Sequence, residues 1–156
     1  MSHLRWSAAG IALVTMISVG AGVGWAQDKA AAVRDRQATM KLEGPALKAI
    51  SDYAGDKGTD QATAIAKTQE LLALGDKLAG FWPAGTSSKD MPGKSNAKPE
   101  IWEQMDKFKA LYVGQKEGEQ KLLEAIQKGD KPTVQATIVN IGKNCSTCHG
   151  TYREKV

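Results

Sequence analysis

The chain has 156 residues, 42% of them apolar and 24% charged, with a formal net charge of +4. That length suits one domain, and the apolar share is enough for a core. The basic residues are scattered, which offers nothing to a nucleic acid and only a slight bias toward an acidic partner. Ala, Lys, Gln, Leu and Glu are frequent and β-branched runs are few beyond the N-terminus, so helix is favoured over sheet.

Residues 1–26 read as a signal peptide. His3 and Arg5 form a positive start, Ala8 to Gly24 is uncharged and mostly apolar, and Gly24-Trp25-Ala26 offers small residues for cleavage after Ala26. The apolar stretch is glycine-rich and short for a membrane span; a retained anchor helix is the alternative. Cleavage removes Arg5 and no acidic residue, so the domain of residues 27–156 has a formal charge of +3.

A first helix is expected over residues 28–53, with Val33, Met40 and Leu47 on one stripe beside Arg36, Gln37 and Ile50. Pro45 cannot donate to the Lys41 carbonyl, which predicts a kink or a division into two shorter helices. A turn follows at residues 55–59. Asp60 is placed to cap a second helix to Leu78, whose apolar face is Ile65, Leu71, Leu72 and Leu78. Residues 80–98 hold Pro83, Gly85, Pro92 and Gly93 and read as an irregular segment, either functional or partly mobile. Phe81 and Trp82 at its start are expected to plug the core or cover a bound group.

After Pro99 one long third helix is expected, with Ile101, Met105, Phe108, Tyr112, Leu122 and Ile126 as its stripe. Gly114 and Gly118 weaken its middle, and Gly129 ends it. Asp130 then caps a fourth helix, with Pro132 in its first turn. Its stripe is Val134, Ile138, Ile141, Cys145, Cys148 and Tyr152, at intervals of four and three. Four amphipathic helices in sequence predict an all-α, antiparallel four-helix bundle.

The last helix carries Cys145-Ser146-Thr147-Cys148-His149. C-x-x-C-H is the attachment signature of a c-type haem. Each thiol adds to one vinyl group of the ring. Residues three apart share a helix face, so both sulfurs reach one ring edge. The adjacent His149 can then ligate the iron. A structural zinc site wants four N or S ligands, more than the two Cys and one His left after residue 26. A thioredoxin-like pair belongs in a βαβ unit, which this pattern lacks, and a plain disulfide leaves His149 unexplained. One covalent haem c is therefore the cofactor expected. Its completion outside the cytoplasm places the chain in a bacterial periplasm.

Three stretches together resemble the class II c-type cytochromes, the family of cytochrome c′. They are Arg36-Gln37-Ala38-Thr39-Met40, Lys98-Pro99-Glu100-Ile101-Trp102, and Cys145 to His149 continued by Tyr152-Arg153. The resemblance implies that Arg36 and Gln37 meet the haem propionates and that Arg153 lies near the histidine face. It also makes Met40 the dividing position. An apolar residue there blocks the distal face in five-coordinate members, whereas a methionine there is the sixth iron ligand in the low-spin branch.

The leading expectation is a non-enzymatic periplasmic electron carrier with His149 and Met40 as metal ligands, docking weakly on redox partner proteins. The alternative is five-coordinate binding of nitric oxide or carbon monoxide, for scavenging or sensing. An enzyme is not supported, since residues 27–156 hold no second histidine for acid–base work. Family members often dimerise through their first two helices, which makes a homodimer a further expectation.

Overall fold

Two aspartates start two of the helices. Asp60 is extended and accepts from the Thr63 amide at 2.7 Å, opening α2 (Gln61–Leu78). Asp130 accepts from the Thr133 amide at 3.1 Å and from its hydroxyl at 2.6 Å, opening the last helix over Lys131–Tyr152. Each satisfies a backbone donor that a helix start leaves without a partner. The structure, a computed structural model, describes residues 23–155, with side chains from Lys29 on. The leader predicted over residues 1–26 lies outside the described residues except for its last four, which are helical.

In chain order the elements are α1 (Val23–Ala54), α2, α3 (Glu100–Glu103), α4 (Met105–Gln127) and α5 (Lys131–Tyr152). The four long helices form the bundle: α1 packs on α2 and α5, and α4 packs on α2 and α5. Among the described residues no helix is long and apolar enough to cross a membrane, and the only β-type pairing is one bridge between Ala97 and Arg153.

One expectation needs correction and one alternative falls away. The helix α1 runs through Pro45 as one element, so the alternative of two shorter helices is the one that falls. Lys41, Leu42, Gly44 and Pro45 are all exposed, so the Lys41 carbonyl that loses its amide partner faces water. The expected third helix is two helices, broken at Gln104, whose φ of −124° and ψ of 38° leave the helical region. The short α3 is turned there so that Ile101 is buried and Trp102 Nε1 donates to the Trp82 carbonyl at 3.2 Å. Gly129 does end the run before α5, at a φ of 69°, the left-handed conformation that favours glycine.

Gly118 has a packing role in the middle of α4. A Cβ there would lie 3.2 Å from Ile141 Cγ1, so the missing side chain lets α4 and α5 close up. Burial falls into two clusters. Ile50, Leu71, Leu122, Ile126, Val134 and Ile141 anchor the first, and Cys145 packs against it. Ile101, Phe108 and Tyr152 anchor the second, with Trp82, Trp102, Tyr112 and Cys148 against it. The two cysteines thus stand where the clusters meet.

Candidate functional site

At that junction lies a cavity of about 370 Å³, within the range of small-molecule sites. Its α5 wall is Cys148, His149 and Tyr152, followed by Arg153; facing it from α1 are Arg36, Gln37, Met40 and Lys41. Trp82, Ile101 and Phe108 close the apolar side. A second, smaller cavity of about 30 Å³ continues behind it, bordered by Cys145, Glu43, Tyr112 and Asn144. Met40, Cys148 and His149 border both. Of the residues singled out from the sequence, Arg36, Gln37, Met40, Cys148, His149 and Arg153 line the larger cavity, and Cys145 lines the smaller one.

Helical spacing explains the arrangement. Arg36, Gln37 and Met40 fall within little more than one turn of α1, and Cys145, Cys148 and Tyr152 repeat at three and four on α5. Both cysteines are free thiols. Burial pushes Cys148 up to about 11, with Cys145 and Glu43 adding to it, and also pushes Cys145 up. A redox-active thiol pair requires the opposite shift. Partial burial, then Arg153, lowers the His149 pKa. Neutral imidazole, the form that binds metal, therefore prevails at neutral pH.

Arg36 is 3% exposed. Its Nη1 donates to Thr86 Oγ1 at 3.0 Å, and its Nη2 donates to the Thr86 carbonyl at 2.7 Å and to Ser95 Oγ at 2.6 Å. The guanidinium also lies 4.8 Å from the centre of the Trp82 ring. Every one of these partners is neutral, and among the described residues no carboxylate pairs with Arg36. Burial lowers its pKa to about 10. A buried cation beside a cavity, without an anion of its own, favours a ligand that brings one. Trp82 Nε1 is a second buried donor without a partner. Gln37 lines the cavity too, but its amide donates to the Lys94 carbonyl at 2.8 Å. Phe81 borders neither cavity; the covering role expected of Phe81 and Trp82 falls to Trp82 alone.

The space thus has an apolar wall, two thiols on one helix face, a neutral imidazole and a buried cation. It fits a flat apolar ring with an anionic edge, the shape that the C-x-x-C-H spacing calls for. Sequence reasoning missed Thr86 and Ser95, which hold Arg36, and Glu43, which enters the smaller cavity. None carries a motif.

Comparison with known proteins gives a consistent picture. The family model described as cytochrome c′ matches residues 31–153. Cytochrome c′ of Rhodospirillum rubrum is 31% identical over 137 residues, covering 84% of this chain and 87% of that protein. Cytochrome c-556 of Agrobacterium tumefaciens is 31% identical over 125 residues, covering 79% and 97%. The nitric oxide complex of a variant cytochrome c′ from Alcaligenes xylosoxidans superposes with a TM-score of 0.72 at 26% identity, covering 82% of this chain and 97% of that one.

Proposed function

Because the chain belongs to the cytochrome c′ family, we propose that it binds nitric oxide or carbon monoxide at the haem face that Met40 covers. The chain carries a single covalent haem c, which supplies a redox-active iron able to take a gas ligand. Cys145 and Cys148 hold the ring by two thioether bonds, and His149 offers neutral imidazole to the iron from the α5 side. Arg36 receives the propionate edge in its buried, unpaired cationic slot, with Trp82 Nε1 as a further donor. Gln37 braces the neighbouring loop, and Arg153 adds to the burial that favours neutral His149. Export to the periplasm, where such haem is attached, completes the reading.

One observation carries it. Met40 of α1 and His149 of α5 border the same two cavities from neighbouring helices. The side chain that shares this space with the imidazole is thus an unbranched, half-buried thioether that can swing aside. The nitric oxide complex of the Alcaligenes relative supports gas binding at this fold's site. The same Met40 placement favours a second reading. Its sulfur is a competent ligand for ferrous haem, and a sixth ligand kept in both oxidation states makes a single-electron carrier.

One absorption spectrum separates the two. Gas binding predicts a high-spin oxidised spectrum and a shift when carbon monoxide is added to the reduced protein. A low-spin spectrum with a methionine–iron charge-transfer band, indifferent to carbon monoxide and turned high-spin by Met40→Ala, overturns gas binding and leaves the carrier.

A further inference from the structure

Behind the haem cavity the bundle holds two acidic side chains with no cation of their own. Glu119, on α4, is 1% exposed and accepts from Gln115 Nε2 at 3.1 Å. Its other oxygen points at Gly75 of α2, 3.7 Å from where a Cβ would stand. Glu43, on α1, has a buried Oε1 with no hydrogen-bond partner. The nearby lysine, Lys116, is paired with Asp76 at 2.6 Å on the exposed side. Gln115 of α4 links the two: it donates to Glu119, and it borders the same small cavity as Glu43, together with Tyr112 of α4 and Cys145, Cys148 and Asn144 of α5; Asp76 of α2 adds a further negative charge near Glu119.

Two carboxylates in a low-dielectric interior cannot both ionise freely, and the proton they hold belongs to the pair. Burial first, and then Glu119, raises Glu43 to about 7, and burial raises Glu119 in the same direction. Glu43 is only half-buried, so the pair can exchange protons with water. The smaller cavity at its side, about 30 Å³, has room for about two water molecules.

We propose that Glu43 and Glu119 form a redox-linked proton site, in which the pair binds one proton when an electron enters the haem and releases it when the electron leaves. The electron comes from a reduced partner protein and takes the iron from ferric to ferrous. The proton comes from water and forms one O–H bond on the pair. The new negative charge in the bundle raises the pair's affinity for the proton, and the proton offsets that charge. This needs only the one-electron chemistry of haem iron, so it stands whichever reading of Met40 holds.

The test is the reduction potential of the haem-bearing protein measured against pH, in the wild type, Glu43→Gln, Glu119→Gln and the double variant. Glutamine keeps the shape of a protonated glutamic acid. In the wild type the potential should fall as pH rises, approaching about 59 mV per pH unit, the tenfold step of a one-electron couple. In the double variant that slope should vanish over the same range. In Glu43→Gln only Glu119 is left to titrate, so the sloping window should move away from its wild-type position. The reduced-minus-oxidised infrared spectrum should show a protonated carboxyl band that both single variants diminish. If Glu119→Gln does not fold, the moved window and the infrared band of Glu43→Gln decide the matter. A slope that survives in the double variant, or a Glu43→Gln profile that overlays the wild type, overturns the proposal. The spin state read from the absorption spectrum judges Met40 separately.

Discussion

Replacing Glu43 by glutamine removes an ionisable group from the bundle interior with almost no change of shape. Burial, followed by Glu119, raises the folded-state pKa of Glu43 from 4.5 to about 7. The unfolded chain ionises near the ordinary value, so between about pH 4.5 and 7 the folded state binds more protons than the unfolded one. Stability from this group is therefore fully present below the unfolded pKa and is lost as pH rises through the folded pKa. The gap from 4.5 to 7 corresponds to about 3 kcal/mol, which screening at a half-buried group reduces to about 2 kcal/mol. Glutamine bears no such penalty. Guanidinium unfolding of haem-bearing protein, followed by circular dichroism at pH 4, 6 and 8, should find wild type and Glu43→Gln nearly equal at pH 4. By pH 8 the variant should be the more stable by about 2 kcal/mol. A stability difference that stays constant across the three pH values, or a variant less stable at pH 8, refutes the argument.

Other substitutions probe the cavity walls. Cys145→Ala should leave haem on one thioether and weaken its retention, and Cys145→Ala with Cys148→Ala should release all haem to acid–organic extraction, read by absorbance of the organic phase. Phe108 is 2% exposed and meets Trp82, Tyr112 and Tyr152 edge-on, with ring centres 4.6, 5.2 and 5.3 Å away. Phe108→Ala should therefore destabilise the protein by about 3–5 kcal/mol, measured by denaturant midpoint at unchanged slope. A loss below about 1 kcal/mol, the scale of surface changes, would mean the aromatic wall is not packed as described.

How much of this was legible in the chain varies by residue. The α5 stripe was plain, because Val134 to Tyr152 repeats at helical spacing and Asp130 marks its start. His149 was readable from the C-x-x-C-H spacing, and Arg36 and Met40 joined it only through the resemblance to the cytochrome c′ family. The break at Gln104 carries no Gly or Pro; it follows from seating Ile101 and binding Trp102 to the Trp82 carbonyl, which are tertiary demands. Pro45 left a division into two helices open, and the helix runs on because the orphaned carbonyl faces water. The neutral cradle of Arg36 comes from Thr86 and Ser95 in the irregular segment, where no periodicity says which hydroxyls turn inward. Nothing in the spacing of Glu43 and Glu119 singles them out, and only the packing of the bundle buries them.

The irregular segment of residues 80–98 is fastened at both of its faces. Arg36 and Gln37 hold Thr86, Ser95 and the Lys94 carbonyl from α1. On the other side the Lys98 amide donates to the Tyr152 carbonyl, the Glu154 amide to the Asn96 carbonyl, and Ser88 Oγ to the Glu154 carboxylate. A loop held by its own turns would open by itself, whereas this one can open only by breaking bonds to α1 and to the end of α5 together. It therefore belongs to the same cooperative unit as those helices, and its amides share their exchange kinetics. Trp82, at the head of the segment, is tied to α3 in its turn, since its carbonyl accepts from Trp102 Nε1 at 3.2 Å.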